Sequence, residues 1–158
     1  MHVAGVPFTQ FHQTLESAIG YLELGMAEEA LRELDTLPQA DQAEEDVLEL
    51  RLMLNQHVGC WEGAAAAAEA LCRIRDADAD RYITWGCCLS EMGRHEECRR
   101  ALDLAPPEAR TDALWNYHRA HCEALLGNTE SARQLVHQSL RIDPTVRALA
   151  EGNTHLNP

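Results

Sequence analysis

His118, His121 and Cys122 in the stretch WNYHRAHCEALL fall within about one helical turn of each other. The i, i+4 spacing of His118 and Cys122 is one that can grip a metal ion, and Cys87 with Cys88 offers further sulfur ligands from a preceding element. No CxxC pair reinforces them. The same residues admit a second chemistry, since a cysteine hydrolase needs a thiol held beside an imidazole. Cys87 and His121 occupy equivalent places in successive segments, so stacked segments bring them together. An oxyanion site and an orienting acid for that pair have no candidate in the sequence. A thiol- or metal-dependent enzyme using Cys87, His118, His121 and Cys122 is therefore the enzymatic alternative.

Two other stretches resemble sites and fail at the residues that would complete them. HEEC at 95–98 begins like the zinc-protease helix motif, but position 99, where the second His belongs, is Arg. DADAD at 76–80 opens like a calcium loop, yet the Gly position holds Arg81 and the bidentate Glu position holds Cys87. Its carboxylates read as solvated linker groups, with Asp78 or Asp80 capping a helix. No metal and no cofactor is expected.

Composition narrows the partners. The chain has 158 residues, a net charge of −13 and a pI near 4.9, and all 13 basic residues are Arg. Clustered positive charge, which nucleic acid and anionic membrane surfaces require, is not there to be had. The absence of Lys removes a phosphate-loop lysine and a Schiff-base lysine. No stretch reaches the roughly 20 apolar residues of a membrane span. The opening MHVAGVPFTQ lacks the layout of a secretory signal. Six Cys, two of them adjacent, then fit a reduced compartment, and the expected location is cytoplasmic.

The elements that position these side chains are set by punctuation. Gly recurs at 25, 59, 93 and 127, in LGMAEEA, VGCWEGA, MGRHEEC and LGNTESA, each step being 34 residues. An equal period in this range marks a repeat architecture. Each Gly follows an apolar-periodic run and precedes a polar start with Glu in its first turn (Glu28, Glu62, Glu96, Glu130), the pattern of one helix closing in a left-handed residue and a second opening. Two positions beyond each Glu stands a small residue, Ala30, Ala64, Cys98 or Ala132. Seven before each Gly stands Ala18, Leu52, Gly86 or Ala120. Small columns let paired helices approach to about 8–10 Å. Helices are expected at about 8–24, 27–37, 42–58, 61–74, 80–92, 95–105, 112–126 and 129–142. Asp41 and Glu44 form a capping-box pattern, Asn128 caps the last helix, and Pro38, Pro106, Pro107 and Pro144 stand between hairpins. Trp61, Trp85 and Trp115 wedge between helices.

This pattern resembles the tetratricopeptide repeat (TPR), whose 34-residue unit has a small residue at position 8, Gly at 15, Ala at 20 and Pro at 32. The sequence departs from it where Tyr21 alone keeps the aromatic of position 11, where Leu34, Ala68, Leu102 and Val136 replace the large aromatic of position 24, and where only Pro144 fills position 32. The resemblance implies an all-α fold, a right-handed superhelical array of antiparallel helix pairs (a TPR-like α-solenoid). It would form one domain with repeats at about 11–44, 45–78, 79–112 and 113–146 and a short tail, 147–158.

The resemblance further implies a concave groove lined by the first helix of each pair. Carried onto this chain, its peptide-binding residues are Leu15, Ile19, Leu22, Glu49, Met53, His57, Ile83, Cys87, Glu91, Tyr117 and His121. Relatives that clamp a chaperone's terminal carboxylate use Lys, Asn and Arg there. Leu15 and Ile19 stand at two of those positions, so a different ligand is implied: a peptide with an apolar segment, basic or not. The competing assignment is that these residues pack hairpin on hairpin. Phe8 and Phe11 are expected to cover the first hairpin, and Leu126, Leu135 and Val136 to be poorly covered at the other end. That exposure points either to a homo-oligomer formed through the C-terminal end or to a piece of a longer protein. The reading is a non-enzymatic protein-interaction module, an adaptor or scaffold. The alternative within binding proteins is an acidic bacterial secretion-type chaperone.

Overall fold

The structure, a computed structural model, describes residues 9–156, and every regular element among them is helical. The long helices are α1 (Gln10–Glu23), α2 (Ala27–Asp35), α3 (Glu45–Val58), α4 (Trp61–Cys72), α5 (Ala79–Glu91), α6 (His95–Asp103), α7 (Ala113–Leu125) and α8 (Thr129–Ile142). A short α9 (Arg147–Glu151) lies in the stretch read above as a tail. Phe8 lies outside the described residues.

The bends follow from one backbone requirement. Gly25, Gly59, Gly93 and Gly127 have φ of 74°, 73°, 72° and 82°, the left-handed region where a side chain is disfavoured. The small columns are buried: Ala18, Ala30, Ala64 and Ala120 are fully covered, and a Cβ at Gly86 would stand 3.2 Å from the Leu102 Cγ. Larger residues there would force the paired helices apart.

The start of α3 differs from expectation. Asp41–Ala43 is a single 3-10 turn, Glu44 is extended, and no side chain caps the helix. The reason is local: the amides of Asp41 and Gln42 both bond to the Pro38 carbonyl and the Gln42 Nε2 donates to the Leu37 carbonyl, so the turn closes on itself before α3 begins. Asn128 likewise makes no cap bond, its amide nitrogen donating instead to the Glu123 carboxylate. Asp78 does cap α5, accepting from the Arg81 amide at 3.2 Å, and Asp112 caps α7, accepting from the Trp115 amide at 2.8 Å.

The chain divides into two compact units, the first ending at Ala67 and the second beginning at Ala68. In the first, Ala18, Ala30, Leu34, Val47 and Leu54 form a core on which Phe11, Leu15, Tyr21, Leu22 and Leu31 pack. Burying a Leu such as Leu34 or Leu54 contributes about 1.5–3 kcal/mol. Arg51 of α3 pairs with Asp35 at the end of α2 at 2.8 Å.

In the second unit α5 packs on α6 and on α7, and α7 packs on α8. Side chains of α5 satisfy the last carbonyls of α4, the Arg81 Nη1 donating to Leu71 and the Tyr82 hydroxyl to Cys72. Trp115 is buried, its Nε1 donating to the Leu102 carbonyl at 3.0 Å, while Trp61 and Trp85 are only half-buried. Leu126, Leu135 and Val136 are half-buried too.

Candidate functional site

The first unit leaves part of its first-helix surface open. Leu15 and Leu22 are half-buried against the core, but Ile19, one turn from each, is 45% exposed. On α3, Glu49 and His57 are exposed and Met53 is 52% exposed. Glu23 and Asp46 share these helix faces and are exposed as well. Residues 1–67 contain twelve of the 26 acidic side chains and only two of the 13 arginines, so two apolar side chains stand in a strongly negative setting.

The corresponding residues of the second unit are more enclosed. Ile83 and Tyr117 are buried, Cys87 and His121 are half-buried, and Glu91 alone is exposed. Tyr117 is covered by the segment that follows α8. Its hydroxyl donates to the Leu149 carbonyl and accepts from the Asn153 Nδ2, both at 3.2 Å. One turn along α7, the His121 ring lies 5.8 Å from that of His155. Nothing in the sequence marks this contact, because residues 147–156 carry no apolar period.

The thiols and imidazoles are arranged differently from the expectation that paired Cys87 with His121. The Cys87 Sγ lies 3.4 Å from the Nδ1 of His118. Burial, with Cys88 and Glu91 adding to it, pushes the Cys87 thiol up to about 11. Burial, followed by repulsion from His121, pushes His118 down to about 4 despite Asp112. At neutral pH the pair is a thiol and a neutral imidazole, the inactive form of a cysteine nucleophile. Cys122 is buried on α7 and donates to the His95 carbonyl at 3.1 Å, and Cys98 is buried on α6. Among the described residues no group of three His, Cys, Asp or Glu side chains is placed to hold a metal ion. Nor is any helix among them long and apolar enough to cross a membrane.

A charged network fixes α7 between its neighbours. Arg119 pairs with Asp103 of α6 at 3.0 Å and with Glu123 one turn on, and Glu123 also accepts from Asn128 in the bend before α8. Burial pushes the Glu123 carboxyl up. The hydrogen bonds from Arg119 and Asn128 and the charges of Arg119 and Arg99 outweigh that, and hold it below its ordinary value.

No protein-family model matches the sequence, and no curated protein matches it. Solved structures do. MamA from Desulfovibrio magneticus RS-1 (residues 41 to the end) is similar at a TM-score of 0.70 and 16% identity, over 85% of this chain and 76% of that one. YrrB, described as a TPR protein with an unusual peptide-binding site, is similar at 0.65 and 15%, over 90% and 79%. PilW, described as a widely conserved type IV pilus biogenesis factor, is similar at 0.63 and 20%, over 90% and 67%. Identities this low carry architecture and nothing finer. With glycine bends at 34-residue intervals and buried small columns beside that likeness, the chain has the all-helical fold of TPR-like solenoid proteins.

Proposed function

We propose that the chain is a non-enzymatic interaction module, a cytoplasmic adaptor or scaffold that holds a partner polypeptide on its first-helix faces, with its four repeats acting as one domain. The observation that carries this reading is the exposure of Ile19 (45%) and Met53 (52%) beside the carboxylates of Glu23 and Asp46. Apolar side chains left open amid acidic ones favour a peptide with apolar anchors and basic flanks, which is repelled neither by desolvation nor by charge. The peptide-binding site in the description of YrrB supports a peptide as the ligand. Leu15, Leu22, Glu49 and His57 complete the proposed surface of the first unit, and Ile83, Cys87, Glu91, Tyr117 and His121 make that of the second. A secretion-type chaperone is the same reading with a narrower partner. An enzyme at Cys87, His118, His121 and Cys122 is disfavoured by the neutral Cys87–His118 pair.

The test is selection of peptides from a random-sequence display library on the wild-type chain, followed by binding to a variant with Ile19→Asp and Met53→Asp. Both positions are solvent-exposed, so the variant keeps its fold. Enriched peptides carry Leu, Ile or aromatic anchors with Arg or Lys, and the variant loses them by more than about tenfold. Peptides held equally by both proteins place the binding surface elsewhere.

A further inference from the structure

The segment after α8 is held in an unusual way for a structural cover. Val146 is buried where it joins the unit, but none of residues 147–156 is, and Leu149, its largest apolar side chain near Tyr117, is 48% exposed. A helix that caps a repeat array buries an apolar face on it. This segment instead relies on polar contacts: a main-chain carbonyl received by the Tyr117 hydroxyl, the Asn153 carboxamide on the same hydroxyl, and the His155 ring beside His121. Its one helix, α9, has five residues, too few to persist unaided. One main-chain group and two side chains from a single short stretch make these contacts, as in peptide recognition, where main-chain bonds supply affinity and side chains specificity.

We propose that the α7 surface bearing Tyr117 and His121 is a docking site for a short polypeptide segment, that residues 149–155 of the chain are its tethered occupant, and that a partner binds there by displacing them. The ligand class is a peptide that gives a backbone carbonyl to Tyr117, places an Asn or Gln side chain on the same hydroxyl a few residues later, and lays a ring on His121. The proposal rests on the reading of the chain as a polypeptide-binding module and adds to it the site, its recognition groups and its built-in competitor. The tether presents that competitor at an effective concentration near the millimolar range, so a partner must outcompete it or find it weakened.

The experiment uses the full chain and a fluorescent synthetic peptide of residues 147–158. In the wild type the tethered copy excludes the free one. In the full chain carrying Asn153→Ala and His155→Ala, the peptide, which keeps both side chains, binds at least about tenfold tighter than to the wild type. Adding Tyr117→Phe to that variant removes the hydroxyl that meets both the Leu149 carbonyl and the Asn153 carboxamide of the peptide, and weakens the peptide by at least about fivefold. Circular dichroism and thermal melting accompany each protein. Binding that is equal for wild type and double variant, at whatever level, overturns the proposal. So does a double variant that loses helix content, because the segment would then be part of the core. The peptide comes from the chain itself and the probed surface excludes Ile19 and Met53, so failure here leaves the library selection to stand or fall separately.

Discussion

The Sγ of Cys87 on α5 lies 3.4 Å from the Nδ1 of His118 on α7, so the thiol most open to the suspicion of catalysis has an imidazole at contact distance. Both groups are held neutral by burial, the thiol at about 11 and the imidazole at about 4. Proximity without ionisation is what a packing contact predicts and a catalytic pair does not. The expected outcome is that iodoacetamide at pH 7.5, followed by peptide mass mapping, labels exposed Cys60 first and Cys87 at least about a hundredfold more slowly. Labelling of Cys87 ahead of Cys60 would restore the enzymatic alternative.

The same burial makes stability depend on pH. An unfolded His titrates near 6.5, whereas folded His118 titrates at about 4, so the unfolded chain takes up the proton first as pH falls. The stability present above pH ~6.5 declines between there and about 4, by about 3 kcal/mol. His121, also lowered by burial and by His155 and His95, adds in the same direction, with Glu91 opposing. Urea midpoints across this window fall for the wild type, and His118→Gln removes the larger part of the slope.

Arg119 and Asp103 differ in what they leave behind when removed. Arg119→Ala strips the charge partner from buried Glu123 and costs about 3 kcal/mol. Asp103→Ala removes an exposed partner and costs less than about 1 kcal/mol. Since the folded Glu123 carboxyl titrates below its unfolded value of about 4.3, its contribution is complete above that pH and vanishes as pH falls through the folded pKa. Chemical denaturation of the two variants at pH 7 and near pH 3 checks both statements, because the penalty of Arg119→Ala shrinks at the lower pH.

One substitution has opposite signs at two glycines. Gly127→Ala forces a Cβ into a backbone at φ 82° and lowers stability by about 1 kcal/mol. Gly20→Ala, inside α1 with nothing within 4 Å of the added carbon, raises it by about 0.5–1 kcal/mol. Thermal melts of the two single variants decide this, and shifts of the same sign would contradict the account of the bends.

What could be read beforehand divides along the range of the forces involved. Gly25 to Gly127 and the columns of Ala30 and Ala132 were legible because a positive φ and a close helix approach each exclude most side chains, and exclusion leaves a pattern in the letters. The start of α3 is not, because the Pro38 carbonyl takes the Asp41 amide and the Asp41 carbonyl takes that of Glu44, the two amides a capping box would use. Pairing Cys87 with His121 assumed that equivalent positions meet, whereas the register between α5 and α7 sets Cys87 against His118, a residue three earlier. The repeat pattern puts Tyr117 on the groove face, and the structure covers it with Leu149 and Asn153, residues without a periodic signature.

The four left-handed bends also bear on how such a chain can change in length. Because each joins its helices through the same backbone conformation, loss or duplication of 34 codons splices like onto like and returns every small residue to its column. An increment that is not a multiple of 34 throws the lattice out of phase. Growth of this molecule over generations is therefore quantised, with whole hairpins as its smallest inheritable step.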